Sequence, residues 1–264
     1  MPKDDTPGDP SSFVGLDLPA GRLNADRFAE AAEYFDASSG SVTDRLAAFP
    51  RFVDRTSIGR FLVRYELAKL AMPVQGSIVE CGVFTGFGLF AFAQISSLLE
   101  PLNHRRRVIG FDTFSGFPSV TGHDTFTGYA DAHVGGLTGS SMAELQRGVD
   151  LFDQDRALKE IRKIHLVEGD FLDTGPRFVE DNPHLVVSLL YLDFDLYEPT
   201  KRALELFLPL MPAGAVLAFD ELHVAEFPGE TRAVLDTVGL RRLALRRFPF
   251  TSISYAVLDD SPYP

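Results

Sequence analysis

Apolar and polar positions divide the chain into a helical first part and a longer second part in which strands alternate with helices. Before residue 76, apolar side chains recur at the three- and four-residue spacing of a helix face. This spacing predicts helices over Leu23–Phe35 and Thr43–Val53, and a third helix that Thr56 or Ser57 caps and that ends near Pro73. Serine and threonine side chains accept hydrogen bonds from the free N–H groups of a first helical turn, so either residue suits the cap.

Five apolar runs in the second part predict strands, and helical patterns fill the spaces between them. The strands are predicted at Ser77–Cys81, Arg107–Phe111, Ile164–Val167, Leu185–Leu192 and Ala215–Phe219. The helices are predicted at Gly86–Leu99, Ser141–Arg162, Phe171–Glu180, Pro199–Leu208 and Gly229–Val238. The nearly continuous apolar run of the fourth strand is typical of a central parallel strand that is buried on both faces. Strands and helices in alternation predict a doubly wound, mostly parallel α/β sheet.

Two further strands are predicted near the C-terminus, at Arg242–Arg246 and Ser252–Leu258, with only Arg247–Thr251 between them. This link is too short for the crossover that parallel strands need, so the pair must be antiparallel. An antiparallel hairpin on a doubly wound sheet is the arrangement of class I methyltransferases that use S-adenosylmethionine (SAM). The pattern therefore predicts that Rossmann-like fold, with additional N-terminal helices.

Composition limits where the protein works and what it binds. The single cysteine, Cys81, has no partner for a disulfide within the chain, which fits a reducing cytoplasm. The net charge of −12 repels nucleic acid, and no apolar run approaches the roughly 20 residues of a membrane span. We therefore expect a cytoplasmic protein without a nucleic-acid or membrane partner. Its predicted parts are a flexible arm over 1–20, a helical segment over 21–75 and a SAM-dependent methyltransferase domain over 76–264.

A glycine-rich turn follows the first predicted strand, with the sequence Val-Glu-Cys-Gly-Val-Phe-Thr-Gly-Phe-Gly over residues 79–88. Glycine permits positive φ angles and lets the backbone come close to a ligand, and the next helix offers free N–H groups and the positive end of its dipole. We predict that this turn binds the cofactor through Glu80, Cys81, Gly82, Gly86 and Gly88. The alternative is an ordinary strand-to-helix turn of an α/β protein.

Acidic residues at the ends of the second and third strands indicate which cofactor binds. Asp112 can accept hydrogen bonds from both hydroxyls of a ribose, although NAD-binding folds use an acid in the same way. Asp170 lies where SAM enzymes hold the adenine amino group, or is only the N-cap of the next helix. Together with Thr113 and Phe171, these acids are predicted to bind the cofactor. Glu80 would repel a pyrophosphate but suits the positive sulfonium of SAM, which favours SAM over NAD.

Clustered carboxylates at two later strand ends favour a divalent cation. Asp193 ends one predicted strand and Asp220 ends the next, and adjacent strands lie roughly 5 Å apart. Carboxylate oxygens suit Mg²⁺, which can stabilise a developing alkoxide by binding neighbouring hydroxyls of the substrate. Methyl transfer to an alcohol also needs a proton acceptor, for which Asp195 and His223 are candidates. Asp195 is alternatively a loop acid or a helix cap, and His223 is alternatively a surface histidine.

Four segments together resemble the macrocin O-methyltransferase family of SAM-dependent and metal-dependent sugar O-methyltransferases. They are Val-Glu-Cys-Gly-Val over 79–83, Phe-Asp-Thr-Phe-Ser-Gly-Phe-Pro over 111–118, Leu-Leu-Tyr-Leu-Asp-Phe-Asp-Leu-Tyr-Glu-Pro-Thr over 189–200, and Gly-Ala-Val-Leu-Ala-Phe-Asp-Glu over 214–221. The resemblance implies SAM as the methyl donor, Mg²⁺ bound by Asp193, Asp220 and Glu221, and a base that matches Asp195. Many members have Asp-Asp where this chain has Asp220-Glu221, and glutamate reaches about one methylene further, which can shift the ion.

The predicted function is O-methylation of a deoxysugar hydroxyl on a bacterial natural product, with a small glycosylated molecule as acceptor. A methyltransferase for catechols or other phenols is the nearest alternative, followed by an NAD-dependent oxidoreductase and a non-catalytic protein with the SAM fold. The glycine-rich segment over 119–139 contains Phe126, Tyr129 and His133, and predicts a lid over the site or a surface insertion. The apolar N-terminal helices predict a homo-oligomer.

Overall fold

A computed structural model of the protein describes residues 20–124 and 133–259, with side chains from residue 27 onward. The chain divides into two compact units, Met1–Ile58 and Gly59–Pro264. This division differs from the predicted boundary at residue 75, because the third helix contributes Val63 and Leu67 to the core of the second unit. The predicted flexible arm lies outside the described residues except for its last position.

The first unit contains helices α1 (Ala20–Ala37) and α2 (Val42–Ala47), a 3₁₀ turn at Phe49–Arg51 and the beginning of α3 (Arg55–Ala71). The side chain of Asp54 accepts hydrogen bonds from the backbone N–H groups of Thr56 (2.6 Å) and Ser57 (3.0 Å). Asp54 therefore caps α3, and the prediction of Thr56 or Ser57 as the cap is wrong, because the earlier carboxylate satisfies the N–H groups of both residues.

The second unit is built on a seven-stranded sheet with the strand order β3-β2-β1-β4-β5-β7-β6. Its strands are β1 (Ser77–Cys81), β2 (Val108–Asp112), β3 (Ile164–Glu168), β4 (Val187–Leu192), β5 (Val216–Phe219), β6 (Arg246–Arg247) and β7 (Ser254–Val257). Its helices after α3 are α4 (Phe87–Leu99), α5 (Met142–Gln154), α6 (Phe171–Asp181), α7 (Tyr197–Phe207) and α8 (Pro228–Asp236). The first five strands are parallel and β7 pairs antiparallel with both β5 and β6, so the predicted doubly wound sheet with a C-terminal antiparallel hairpin is confirmed.

Each face of the sheet is covered by helices and carries its own hydrophobic core. Side chains alternate between the two faces along a strand, so Leu189 and Tyr191 of β4 face one core while Leu190 and Leu192 face the other. The first core includes residues of α3, α4 and α5, and the second includes residues of α6, α7 and α8. The carboxyl ends of β1 and β4 meet where the strand order reverses, which is the edge at which open α/β sheets bind ligands.

The helix predicted over Thr43–Val53 is wrong in its second half, because α2 ends at Ala47 and a separate 3₁₀ turn with Pro50 follows at Phe49–Arg51. Two further elements also differ in length from the sequence-based prediction. The helix predicted over Ser141–Arg162 ends at Gln154, after which Leu158 takes a positive φ of 57° that no helix accommodates. The strand predicted at Arg242–Arg246 is a 3₁₀ turn at Leu240–Arg242 followed by the short edge strand β6. No helix among the described residues is long and apolar enough to cross a membrane.

Candidate active site

A cavity of about 300 Å³ opens at the carboxyl ends of the parallel strands. Nine of the residues that the sequence analysis selected line it, and they come from the ends of all five parallel strands. The lining residues are Arg60, Gly82, Phe84, Asp112, Thr113, Gly116, Phe117, Pro118, Leu137, Gly169, Asp170, Phe171, Asp193, Phe194, Asp195, Leu196, Pro199, Asp220, Glu221 and Phe227. Phenylalanine side chains and carboxylates dominate this wall, so the cavity offers apolar surfaces together with many hydrogen-bond acceptors.

The turn after β1 requires glycine for two separate reasons. Gly82 has a φ of +94°, and a Cβ atom there would lie 1.9 Å from the carbonyl oxygen of Asp193. Gly86 caps α4 with a φ of +85° but does not line the cavity. The backbone of β1 therefore passes so close to the end of β4 that only a residue without a side chain fits at Gly82.

We expect Gly82→Ala to lower the free energy of unfolding by at least about 3 kcal/mol, because the new methyl group meets rigid backbone as well as an unfavourable φ. Gly135→Ala is the matched control, since Gly135 also has a positive φ of 80° but has no atom within 4 Å of its Cβ position. The control should lose only the 1–2 kcal/mol or so of left-handed strain. Urea unfolding of both variants measures the difference, and equal losses would show that the approach to Asp193 is unimportant.

Asp112 lies at the end of β2, and its carboxylate holds the turn after β1. One oxygen accepts hydrogen bonds from the backbone N–H groups of Val83 (2.7 Å) and Phe84 (2.9 Å), and the other accepts from Phe114 N–H (2.7 Å). A carboxylate has about four acceptor positions, so one remains for a ligand hydroxyl in the cavity that Asp112 lines. The structure therefore adds a role as organiser of the turn to the predicted ribose contact.

Asp170 and its neighbours Gly169 and Phe171 follow β3 and line the same cavity as Asp112. Asp170 is the N-cap of α6, because its side chain accepts a hydrogen bond from Leu172 N–H at 2.9 Å. This geometry agrees with the alternative that Asp170 serves as a helix cap, yet Asp170 also lines the cavity. Phe171 packs its ring against Phe194 with 5.0 Å between centroids, and both rings line the cavity. Thr113 lines it as well, while its hydroxyl donates to the carbonyl of Gly116 at 2.6 Å.

Three residues that the sequence placed at the cofactor lie behind the cavity wall instead. Glu80 is 1% exposed, and its carboxylate faces the core on the α3 and α4 side. Cys81 is fully buried in the opposite core, because side chains alternate along β1. Gly88 is the second residue of α4, and a Cβ atom there would lie 1.8 Å from Oε1 of Glu80. The side chains of Glu80 and Cys81 therefore do not line the cavity, so contact of these residues with the cofactor stays a prediction, and Gly88 makes room for Glu80.

Arg64 of α3 is the buried partner of Glu80, and the sequence analysis missed it. Its guanidinium lies 3.7 Å from Glu80, 3.9 Å from Asp193 and 4.5 Å from the ring centroid of Tyr191. Burial raises the pKa of Glu80 to about 8, against the opposing effect of the charge on Arg64. An arginine on the apolar face of a helix, beside Val63 and Leu67, was the available signal, because a charge is buried there only with a partner.

The acids that follow β4 and β5 converge at the other end of the cavity. Asp193, Asp195 and Glu221 each contribute a carboxylate oxygen to a group in which all three oxygens lie within 4.8 Å of one another. Asp220 lines the same cavity, but its Oδ1 accepts a hydrogen bond from the hydroxyl of Tyr191. The structure therefore brings all four predicted acids together, with Asp195 rather than Asp220 as the third member of the tightest group.

Burial and mutual repulsion raise the pKa values of Asp193, Asp195 and Glu221. Burial, and then the charges of Asp220 and Asp195, raise the pKa of Asp193 well above its ordinary value. Burial and the charge of Asp220 raise the pKa of Asp195 to about 7. The pKa of Glu221 is raised by burial and by Asp193, and its Oε2 is buried without a hydrogen-bond partner among the described residues. A divalent cation fits this set, because it would neutralise the charges and occupy the unpaired oxygen.

Glu230 forms a second layer behind the acids and was not selected from the sequence. It lies in the first turn of α8, is fully buried, and accepts a hydrogen bond from Glu221 N–H at 3.1 Å. Burial and the charge of Asp220 raise its pKa well above the ordinary value. An acid in a first helical turn is common for reasons of the helix dipole alone, so the sequence carried no sign of this role.

His223 lies outside the cavity. It is exposed, has a φ of 70°, and its backbone N–H donates to the hydroxyl of Thr231 at 3.0 Å. Its side chain lines a separate surface depression together with His123. The geometry therefore favours the surface-histidine alternative over a role as base.

Part of the glycine-rich segment over 119–139 lies outside the described residues, including Phe126 and Tyr129. Its described ends are joined to the cavity wall, because Phe117 N–H donates to the carbonyl of Gly136 at 3.0 Å and Gly135 N–H donates to the carbonyl of Phe117 at 2.9 Å. Phe117 itself lines the cavity. Gly135 and Gly136, near the C-terminal end of the segment, are therefore hydrogen-bonded to a residue of the cavity wall.

Comparisons with known proteins agree on the class of enzyme. A family model described as a methyltransferase domain matches residues 79–222. A crystal structure of the calicheamicin methyltransferase CalS11 is 31% identical to this chain, with a TM-score of 0.88, and the match covers 98% of this chain and 100% of CalS11. An apo structure of CalS11, described as a TDP-rhamnose 3'-O-methyltransferase of calicheamicin biosynthesis, is 30% identical with a TM-score of 0.79 and coverages of 93% and 100%.

A more distant structure is similar to this chain in its fold only. The O-methyltransferase NovP is 21% identical to this chain with a TM-score of 0.60, and the match covers 76% of this chain and 79% of NovP. No curated protein sequence matches the chain. The likeness to CalS11 supports a Rossmann-like methyltransferase fold for this chain.

Proposed function

Because the chain belongs to the methyltransferase-domain family that it matches over residues 79–222, we propose that it is a SAM- and Mg²⁺-dependent O-methyltransferase that methylates a sugar hydroxyl of a bacterial natural product. The observation that carries this proposal is one cavity that joins a glycine turn and the acids Asp112 and Asp170 at one end to a carboxylate cluster at the other. The first end suits a nucleoside, and the second suits a cation beside an acceptor.

The chemistry of the donors and acceptors at the first end fits SAM. Asp112 and Asp170 can accept hydrogen bonds from ribose hydroxyls and an adenine amino group, while Phe84 and Phe171 offer apolar surface to the base. Backbone at Gly82 borders the same space without any side chain. SAM would supply the methyl group of its sulfonium, and these residues would bind and orient it.

The acids at the second end are proposed to hold the cation through Asp193, Asp220 and Glu221. This assignment follows the family resemblance for Asp220, whose carboxylate lies in the cavity beside the converging group. Bound Mg²⁺ would supply positive charge that stabilises an alkoxide as it develops on the acceptor. Glu230 and Arg64 lie behind Glu221 and Asp193 and fix their positions through a hydrogen bond and an ion pair.

Asp195 is proposed to take the proton from the acceptor hydroxyl. When SAM is bound, the oxygen of that hydroxyl would form the new bond to the methyl carbon as the bond between carbon and sulfur breaks, and the carboxylate of Asp195 would take up the proton. Asp195 is 5% exposed and is held by backbone of positive φ (62°) just beyond β4, so its side chain is fixed at the cavity. Such placement on a rigid strand end is what efficient proton transfer requires.

The acceptor class is proposed from the likeness to CalS11, which is described as acting on TDP-rhamnose. Radiolabelled methyl transfer from SAM to TDP-rhamnose, to a rhamnosylated small molecule and to catechol tests the proposal, and we expect transfer to the sugars. A sugar acceptor without neighbouring hydroxyls is the control and should be a poor substrate. Methylation of catechol alone would replace this proposal with the phenol alternative, and the absence of any transfer would favour a non-catalytic protein.

We expect Asp112→Asn to weaken binding of S-adenosylhomocysteine (SAH), the demethylated product, at least about tenfold. The substitution removes a charged acceptor that holds both the cofactor site and the turn after β1, and such hydrogen bonds contribute roughly 1.5–3 kcal/mol. Calorimetric titration measures the change. Asp173→Asn is the control, because Asp173 is an exposed acid in the first turn of α6 that does not line the cavity. Unchanged SAH affinity in the Asp112 variant would contradict the cofactor assignment.

A homo-oligomer is proposed from the apolar surface of the first unit. Its exposed large side chains include Phe28 (56% exposed), Leu46 (61%) and Phe49 (50%), and exposed apolar surface of this kind is available for a subunit interface. Light scattering at micromolar concentration should therefore give a mass above that of one chain. A monomer mass would reject this part of the proposal.

A further inference from the structure

A second cavity, of about 590 Å³, lies at the amino ends of the parallel strands, on the edge of the sheet opposite the active site. Gly76 and Ser77 at the beginning of β1, Arg107 just before β2 and Val186 just before β4 line it. We call it the basal cavity. A strand of five residues is about 17 Å long, so the whole length of the sheet separates a ligand here from one in the active site.

The basal cavity is lined by basic side chains, although the protein as a whole is acidic. Its basic residues are His104, Arg105, Arg107, His165 and His184, and none of its lining residues is acidic. The chain has 37 acidic residues and a net charge of −12, so a lining without a carboxylate is a local reversal of charge. Half of the six histidines are found here.

The positive charge of the basal cavity is not neutralised within the described part of the chain. Neither Arg105 nor Arg107 forms an ion pair there, and Arg107 donates instead to the backbone carbonyl of Arg162. The neighbouring acid Asp153 is already paired with Arg156 at 2.7 Å. Burial lowers the pKa of Arg107, the charge of Arg156 lowers it further, and the charge of Asp153 opposes both effects.

His165 adds an unused hydrogen-bonding atom at the same place. It lies on β3 opposite Ile109 of β2, and its Nε2 is buried without a hydrogen-bond partner among the described residues. Burial and the charges of Arg107 and Arg162 lower its pKa. A buried polar atom normally has a partner, so His165 adds to the lining of the cavity a side chain whose hydrogen-bonding capacity the fold does not use fully.

Apolar side chains form the remaining wall. Ile109 and Leu185 are buried, and Phe178 of α6 is partly buried, so the cavity joins an apolar surface to arginine and histidine side chains. Arginine binds phosphate oxygens in a bidentate manner, and ligand sites of several hundred Å³ that combine few charges with apolar walls take small organic molecules. We propose that the basal cavity binds a phosphate-bearing small molecule, with its phosphate among the arginines and histidines and its less polar part against Phe178 and Ile109.

Binding of pyrophosphate and of uridine diphosphate to the full-length protein, already saturated with SAH, tests this proposal. Because the cavity lies away from the cofactor, we expect both probes to bind in the presence of SAH, with affinities that fall as salt rises. Uridine diphosphate should bind more tightly, because its base can cover the apolar wall. Competition with SAH, or no binding at about 1 mM of either probe, would overturn the proposal. Equal affinities would reject the role of the apolar wall.

Two further readouts place the bound probe. Proton NMR signals of the imidazole rings should shift for His104, His165 and His184 but not for His123, His133 and His223. Arg105→Gln combined with His184→Gln should weaken the binding of pyrophosphate at least about tenfold, because both residues are exposed and line the cavity. Arg202→Gln, which removes an exposed cation from α7, is the control and should change nothing. Shifts at the other histidines, or equal binding by the double variant, would place the anion elsewhere.

Discussion

Asp193→Ala is expected to abolish Mg²⁺ binding and methyl transfer while SAH still binds. Asp193 belongs to the converging group of carboxylates in the structure and to the ligand set that the family resemblance implies, so both lines of argument favour it as a ligand. SAH binding should persist because Asp112 and Asp170 line the other end of the cavity. Loss of the cation removes several kcal/mol of charge stabilisation, which corresponds to a fall in turnover of at least about 10²-fold.

The measurements are Mn²⁺ titration by electron paramagnetic resonance, SAH titration by calorimetry, and turnover before and after treatment with EDTA. EDTA should stop the wild-type enzyme and added Mg²⁺ should restore it. Asp173→Ala, at an exposed acid outside the cavity, is the matched control and should keep all three properties. Full turnover of the wild type in EDTA would show that these acids only orient the acceptor, and that the metal assignment is wrong.

Asp195→Asn is expected to keep both Mg²⁺ and SAH but to lose about 10²–10⁴ of turnover, the usual contribution of a general base. The amide keeps the size and the hydrogen-bonding reach of the side chain but cannot take up the proton. Asp220→Asn makes the same chemical change at the neighbouring acid, and this variant should lose Mn²⁺ affinity. His223→Gln should behave like the wild type, because His223 is exposed and lies outside the cavity.

Metal titration decides between the two acids because the structure groups Asp195, not Asp220, most closely with Asp193 and Glu221. If Asp195→Asn lost the ion while Asp220→Asn retained it, Asp195 would be a ligand, and the proton acceptor would have to be sought elsewhere. If Asp195→Asn kept full turnover, no base would be needed at that position. A comparison of the two Asp→Asn variants therefore distinguishes a metal ligand from a general base.

Much of the fold could be predicted because its signals are local. The bounds of β1 were predicted without error, and those of β4 and β5 within two residues, since continuous apolar runs mark buried parallel strands. The prediction of an O-methyltransferase with the class I SAM fold is confirmed by the family model and by the likeness to CalS11. The end of α5 and the position of β6 were missed, because a turn and a two-residue edge strand have weak patterns.

The sequence by itself determined which residues stand at the ligand-binding edge of the sheet. Parallel strands all present their carboxyl ends to one edge, so the acid that follows each apolar run must lie there whatever packs around it. Asp112, Asp170, Asp193 and Asp220 were found in this way, and all four line the cavity. The need for glycine at Gly82 was also readable, because a sharp turn after a strand demands it.

Only the tertiary structure decided where the side chains point and what they meet. Glu80 and Cys81 stand on opposite faces of β1, and the face toward Arg64 became the interior only when α3 packed on the sheet. The pairing of Asp220 with Tyr191, and of Glu221 with Glu230, likewise depends on elements brought together from distant parts of the chain. Local sequence propensity carries no information about such partners. A charged side chain can be buried only where tertiary packing brings a partner to it, so the sequence alone does not reveal these pairs.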